Sequence, residues 1–165
     1  MGMVANFMRL NAALLPALRA NPSTIGDLLE SDCNPTSGAA ACMDIDKSWH
    51  LIHFFLTGRV GDAPPPLGDT ILGGEELKGG DIGYVPPRVL APSRVDAVAR
   101  AIASIDPSTV PLRFDLAAVR TDVYLADTWT NSPDDRAYLV EYFARLQHFY
   151  GDAARMRQFV IITIT

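Results

Sequence analysis

The chain has 165 residues, 48% of them apolar and 20% charged, which suits one folded domain with a sizeable core and excludes wholesale disorder. Its net charge of −5 and its scattered basic residues disfavour a nucleic-acid partner, since that requires clustered positive charge. No apolar run approaches the roughly 20 residues that span a bilayer, so no membrane partner is expected.

Met3–Leu10 lacks a helix cap and reads as a strand, with Val4, Met8 and Leu10 on one face and Phe7 on the other. Asn11 caps a short helix, AALLPALRA, which Pro16 delays or kinks. Ser23 then caps TIGDLLES. The small, turn-rich DCNPTSGAAA, residues 32–41, reads as a flexible loop. The two cysteines, Cys33 and Cys42, could pair, but without an export signal free thiols and a cytoplasmic setting are the expectation. Asp46 is the expected N-cap, and Gly58 the expected stop, of an apolar helix. A Pro/Gly loop, RVGDAPPPLGD, leads to an expected strand at Thr70–Leu72. Beyond an irregular Gly-rich stretch, a further strand is expected at Arg88–Leu90.

Pro92 opens a helix whose Val95, Val98, Ala99, Ile102 and Ile105 share one face. Asp106 to Asn131 reads as short turns. Ser132, followed by Pro133, Asp134 and Asp135, is a strong helix start. Its apolar stripe is Leu139, Tyr142, Phe143, Leu146, Phe149 and Tyr150. The β-branched QFVIITIT closes the chain as a strand. Helices and strands do not alternate in βαβ order. The expected class is therefore α+β: a single compact domain with a small mixed or antiparallel sheet, including the N- and C-terminal strands, packed with several helices.

Chemistry is sparse. His50 and His53 lie three apart on the apolar helix and can share a ligand. Three readings stand: a metal pair completed by Asp44, Asp46, Glu75 or His148; a lining of a pocket; or a buried structural pair. The spacing is not HExxH, and the apolar surroundings favour burial, so no metal or other cofactor is expected. LGGEEL and KGGDIGY lack a GK[ST] ending and read as turns rather than a phosphate cradle. There is no GxSxG elbow. Neither cysteine has an adjacent cation to lower its thiol pKa. Glu75, Glu76, Asp81, Asp115 and Asp122 offer carboxylates whose mutual placement the sequence leaves open. Trp129, alone in a polar loop, either rims a pocket or folds back on the core. The expected ligand site gathers His50, His53, Gly74, Glu75, Tyr84, Arg88 and Trp129, as polar groups planted in an apolar helix opposite a Gly-rich loop.

Several segments in order, MGMVANFMRL, DIDKSWHLIHFFLTG, LGGE, GYVPPRVL, RFD at Arg113–Asp115 and YLVEYFARLQHFYGDAA, resemble the YfbM-like family of small bacterial proteins. The resemblance covers residues 1–165. It implies a single α+β domain in a bacterial, intracellular setting, and brings no established activity, cofactor or catalytic residue. Two positions depart from the pattern: the 32–41 loop is poor in acids, and Ala91 stands at the cap position before Pro92. The leading expectation is a domain that binds a small polar molecule or a protein without established catalysis. The alternatives are a hydrolase using His50 or His53 as general base or metal ligand, and an interaction protein such as a toxin-neutralising inhibitor.

Overall fold

QFVIIT carries apolar side chains on both faces because β5 (Gln158–Ile164) runs through the middle of the fold, buried from Phe159 onward. The structure, a computed structural model, describes residues 2–32, 42–80, 82–113 and 122–165. β5 pairs along its whole length with β1 (Ala5–Asn11), Ala5 facing Ile164 and Asn11 facing Gln158. The sheet thus includes both terminal strands, as expected, and they are direct neighbours. On its other side β5 pairs with β4 (Arg88–Leu90), and the edges are β2 (Cys42–Asp44) beyond β1 and β3 (Glu75–Glu76) beyond β4. All four pairings are antiparallel, in the order β2-β1-β5-β4-β3.

Successive strand residues point to opposite faces, so each face has its own core. On one, Phe7, Val160, Ile162 and Leu90 meet α3 (Trp49–Thr57), α4 (Pro92–Ala103) and α5 (Pro133–Arg155). On the other, Met8, Leu10, Phe159, Ile161 and Val89 meet the shorter α1 (Leu15–Ala20) and α2 (Ile25–Asp32) through Leu15, Leu18 and Ile25. The result is an α+β domain in three layers, with the sheet between two sets of helices. No helix among the described residues is long and apolar enough to cross a membrane.

α5 spans 23 residues and buries Leu139, Phe143, Leu146, Phe149 and Tyr150 along one stripe. Each such side chain contributes about 1.5–3 kcal/mol on leaving water. Its start is a full capping box: Ser132 Oγ accepts from Asp135 N, while Asp135 Oδ2 accepts from Ser132 N and from both the N–H and the hydroxyl of Thr130. Ser132→Ala removes half of the box and should cost about 1 kcal/mol, readable as a shift of the urea midpoint.

Several local expectations are corrected. Thr70–Leu72 is not a strand: Gly68–Thr70 forms a 3₁₀ turn, tied back by Gly68 N to Pro64 O and Asp69 N to Pro66 O. The proline run supplies acceptors at turn spacing, and that local closure outweighs the β-branched composition. Ser23 lies inside a 3₁₀ turn, Pro22–Thr24, and donates to Asn21 Oδ1 instead of capping α2. Asp46 does not cap α3. It sits at φ +43°, opening a 3₁₀ turn, with its carboxylate drawn to the Tyr138 hydroxyl. Cys42 is disulfide-bonded, not the free thiol expected. Of the loop expected at residues 32–41, Asp32 ends α2, and the rest, including Cys33, lies outside the described residues, as do the carboxylates Asp81 and Asp115.

Candidate functional site

α3 is apolar on nearly every side, and Trp49, Leu51, Ile52, Phe55 and Leu56 are all buried. Gly58, left-handed at φ +70°, ends the helix by donating its N–H to Phe54 O. The chain then turns back beneath the helix, which decides the fate of both histidines. His50 Nε2 donates to Val60 O at 2.6 Å, and His50 Nδ1 accepts from Tyr124 N at 2.8 Å. The Val60 carbonyl can only accept and the Tyr124 amide can only donate, so the tautomer follows from the partners. His53 Nε2 makes the equivalent bond to Gly61 O at 2.8 Å. His53 Nδ1 is buried without a partner, in a residue with 0% exposure. Trp49 stacks on the His50 ring, with centroids 4.6 Å apart, and on Tyr124. The pair is a clamp holding the 58–62 turn and the Tyr124 segment to α3.

Burial pushes the pKa of each imidazole down. The hydrogen bonds to Val60 and Gly61 and the charges of Asp122 and Asp62 pull the other way and are outweighed. Both His50 nitrogens and His53 Nε2 are hydrogen-bonded to the backbone, and His53 Nδ1 is buried. Among the described residues, no three of His, Cys, Asp or Glu gather as a metal site.

The other expected site residues lie apart from the clamp. Arg88 joins Gly74 and the β3 edge: Nη1 donates to Gly74 O at 3.4 Å and Nη2 pairs with Glu76 at 2.9 Å. Glu75 pairs outward with Arg19 at 2.6 Å. Tyr84 is 63% exposed, its N–H bound to Ile164 O. Trp129 folds back over the core, 9% exposed, with its ring 5.9 Å from that of Tyr138. Among the described residues, no hydrogen bond or ion pair joins His50 or His53 to any of these five. Only Gly74, Glu75 and Arg88 share a neighbourhood, at the β3 edge.

A different set of polar groups converges at the far end of the sheet. On the α1/α2 face, Asn6 stands opposite Asp44 on one side and Thr163 on the other. The next row of that face, Cys42, Met8 and Ile161, belongs to the apolar core. The face thus changes from apolar to polar in one step. There it floors a pocket of about 400 Å³, lined by Asn6, Cys42, Asp44, Thr163 and Thr165 together with Phe7 and Met43. Asn6 Nδ2 donates to Val4 O and to Thr165 Oγ1, and Asp44 Oδ1 accepts from Asp46 N. Thr163, 2% exposed, has a buried hydroxyl with no partner.

Asn6, Thr163 and Thr165 escaped the sequence reading, and Asp44 entered it only as a metal ligand. A signal was present. Asn6 shares its period-2 face with Met8 and Leu10, and Thr163 shares its own with Phe159 and Ile161, so each is a polar residue at an inward position.

A family model described as "Domain of unknown function (DUF1877)" matches residues 1–163. No curated protein matches. Among solved structures, the fold is shared with a chain titled as a protein of unknown function, YfbM, from Escherichia coli. The TM-score is 0.71 at 18% identity, covering 98% of this chain and 99% of that one.

Proposed function

The chain belongs to the DUF1877 family, and from that starting point we propose that it binds a small polar ligand, without catalysing its conversion, in the pocket floored by Asp44, Asn6 and Thr163. The observation that carries the reading is the Thr163 hydroxyl, buried beside a 400 Å³ space and left without a hydrogen bond. Such a group costs about 1–3 kcal/mol unless something in the pocket satisfies it. The volume suits a small metabolite. Binding is favoured over catalysis by the spacing of the floor. Asp44 and Thr163 are separated by Asn6, two strand spacings or about 9.5 Å apart, too far for the carboxylate to activate the hydroxyl.

The site expected from His50, His53, Gly74, Glu75, Tyr84, Arg88 and Trp129 gives way in this proposal, because three of the four histidine ring nitrogens are bonded to the 58–62 turn and Tyr124 and the fourth, His53 Nδ1, is buried. A bacterial cytoplasmic setting is part of the proposal, supported by the Escherichia coli origin of the similar structure. The disulfide at Cys42 argues the other way, since such bridges are rare in the cytosol.

Thr163→Val is the direct test, because it keeps the shape and deletes the hydroxyl. The unliganded variant should gain about 1 kcal/mol in urea unfolding, as an unsatisfied group is removed. Any ligand that raises the wild-type melting temperature in a metabolite screen should raise that of the variant less. A variant that is destabilised instead would show that the hydroxyl is already partnered, and the reading would fall.

A further inference from the structure

Counting donors and acceptors on the pocket floor narrows what it accepts. Asn6 has spent both amide hydrogens, one on Val4 O and one on Thr165 Oγ1. The Val4 carbonyl can only accept, so the amide is oriented unambiguously, and Asn6 offers the pocket its oxygen alone. Asp44 is an acceptor with a negative charge. Thr165 Oγ1 already accepts from Asn6, and Thr163 Oγ1 is uncommitted. The floor is therefore rich in acceptors, and no Lys or Arg lines the pocket among the described residues. An anion would meet carboxylate repulsion there with no countercharge among the described residues. A neutral polyol would leave the Asp44 charge uncompensated.

Resting on the reading of this pocket as a ligand site, we propose that its ligand is a small primary ammonium group, held by the Asp44 carboxylate and the Asn6 carbonyl oxygen, which face each other across neighbouring strands. An ammonium carries three donors and no acceptor, which complements the Asp44 carboxylate and the Asn6 oxygen. The contact to Asp44 is charge-assisted, the kind of hydrogen bond that is roughly twice as strong as a neutral one. The chain's net charge of −5 adds a weak long-range attraction for cations. The same chemistry is offered by a free amine and by a lysine side chain of a protein partner.

The test is an NMR titration of the full-length protein with ethanolamine, putrescine and Nα-acetyl-lysine amide, with myo-inositol and citrate as controls. The amines should shift the amide signals of Asn6, Asp44 and Thr163 saturably. In Asp44→Asn, whose amide oxygen can still accept from Asp46 N, their affinity should fall at least tenfold with the fold intact by its own spectrum. Binding of the lysine amide but neither free amine supports the proposal and assigns the ammonium to a protein side chain. Binding of inositol or citrate in place of the amines, or amine binding unchanged by Asp44→Asn, overturns the ammonium assignment and leaves the pocket a ligand site. Silence to every probe overturns the ammonium assignment, and together with a destabilised Thr163→Val it overturns the ligand site as well.

Discussion

Gly73→Ala is expected to destabilise the protein by about 3–5 kcal/mol, a loss of about 10 °C in melting temperature for a chain of this size. Gly73 is not a left-handed residue, so its backbone would accept alanine. The obstacle is the space: a Cβ there would collide with Asp69 Oδ1 and lie 2.5 Å from Asp69 Cα. Asp69 cannot simply yield. Its carboxylate is almost fully buried and forked onto Arg94, with Oδ2 taking Nε at 2.8 Å and Oδ1 taking Nη2 at 2.5 Å. Next to it, Tyr150 near the C-terminal end of α5 donates to Thr70 O. Moving this turn therefore separates a buried charge from its partner, and it is the stranded charge that makes the loss large. Gly74 is held differently, at φ +106° with a Cβ position 2.8 Å from Val89 O. Together these two contacts explain the LGGE signature as packing. Differential scanning calorimetry decides the matter: a change below 1 kcal/mol for Gly73→Ala would mean that the turn is loose.

The second large effect is acid sensitivity. In the native state both clamp histidines are held below the ordinary imidazole pKa by burial. An unfolded chain takes up protons on them near pH 6.5, before the folded chain does. Stability should therefore be complete above about pH 6.5 and fall as the pH drops below it, by up to about 1.4 kcal/mol per pH unit for each histidine that stays neutral when folded. Protonated His50 would also face the Tyr124 N–H with a second donor, losing that bond outright. Urea unfolding at pH 7.5, 6.5 and 5.5 measures the slope. His53→Gln, whose amide can still donate to Gly61 O, should make the slope shallower. A wild-type slope of zero across this range would show that the imidazoles are not buried as described.

How far the fold could be read in advance varies by element. α4, α5 and β5 each carry a strong local signal: Pro92 and a five-residue apolar face, the Ser132 box, and a continuous β-branched run. β2 and β3 carry almost none. They are three and two residues long, and they are strands only because β1 and β4 present open edges to them. The failure at Thr70–Leu72 has the same origin. Residues suited to a strand found turn acceptors among Pro64–Leu67 before any sheet edge.

The WHLIH run shows where local reading stops. Its burial follows from composition, since an apolar helix must be covered on all sides. Whether its imidazoles serve chemistry or architecture depends on which groups reach them, and those come from Val60 and Gly61 one turn later and from Tyr124, 74 residues away. By itself the sequence determined the α+β class, the strands at the two chain ends and the apolar faces of α4 and α5, because periodicity and capping are properties of neighbouring residues. Only the tertiary structure decided that the histidines clamp a turn and that Asp44, Asn6 and Thr163 share one row. A strand register sets residues from opposite ends of the chain side by side, and no local pattern records which polar groups will meet there.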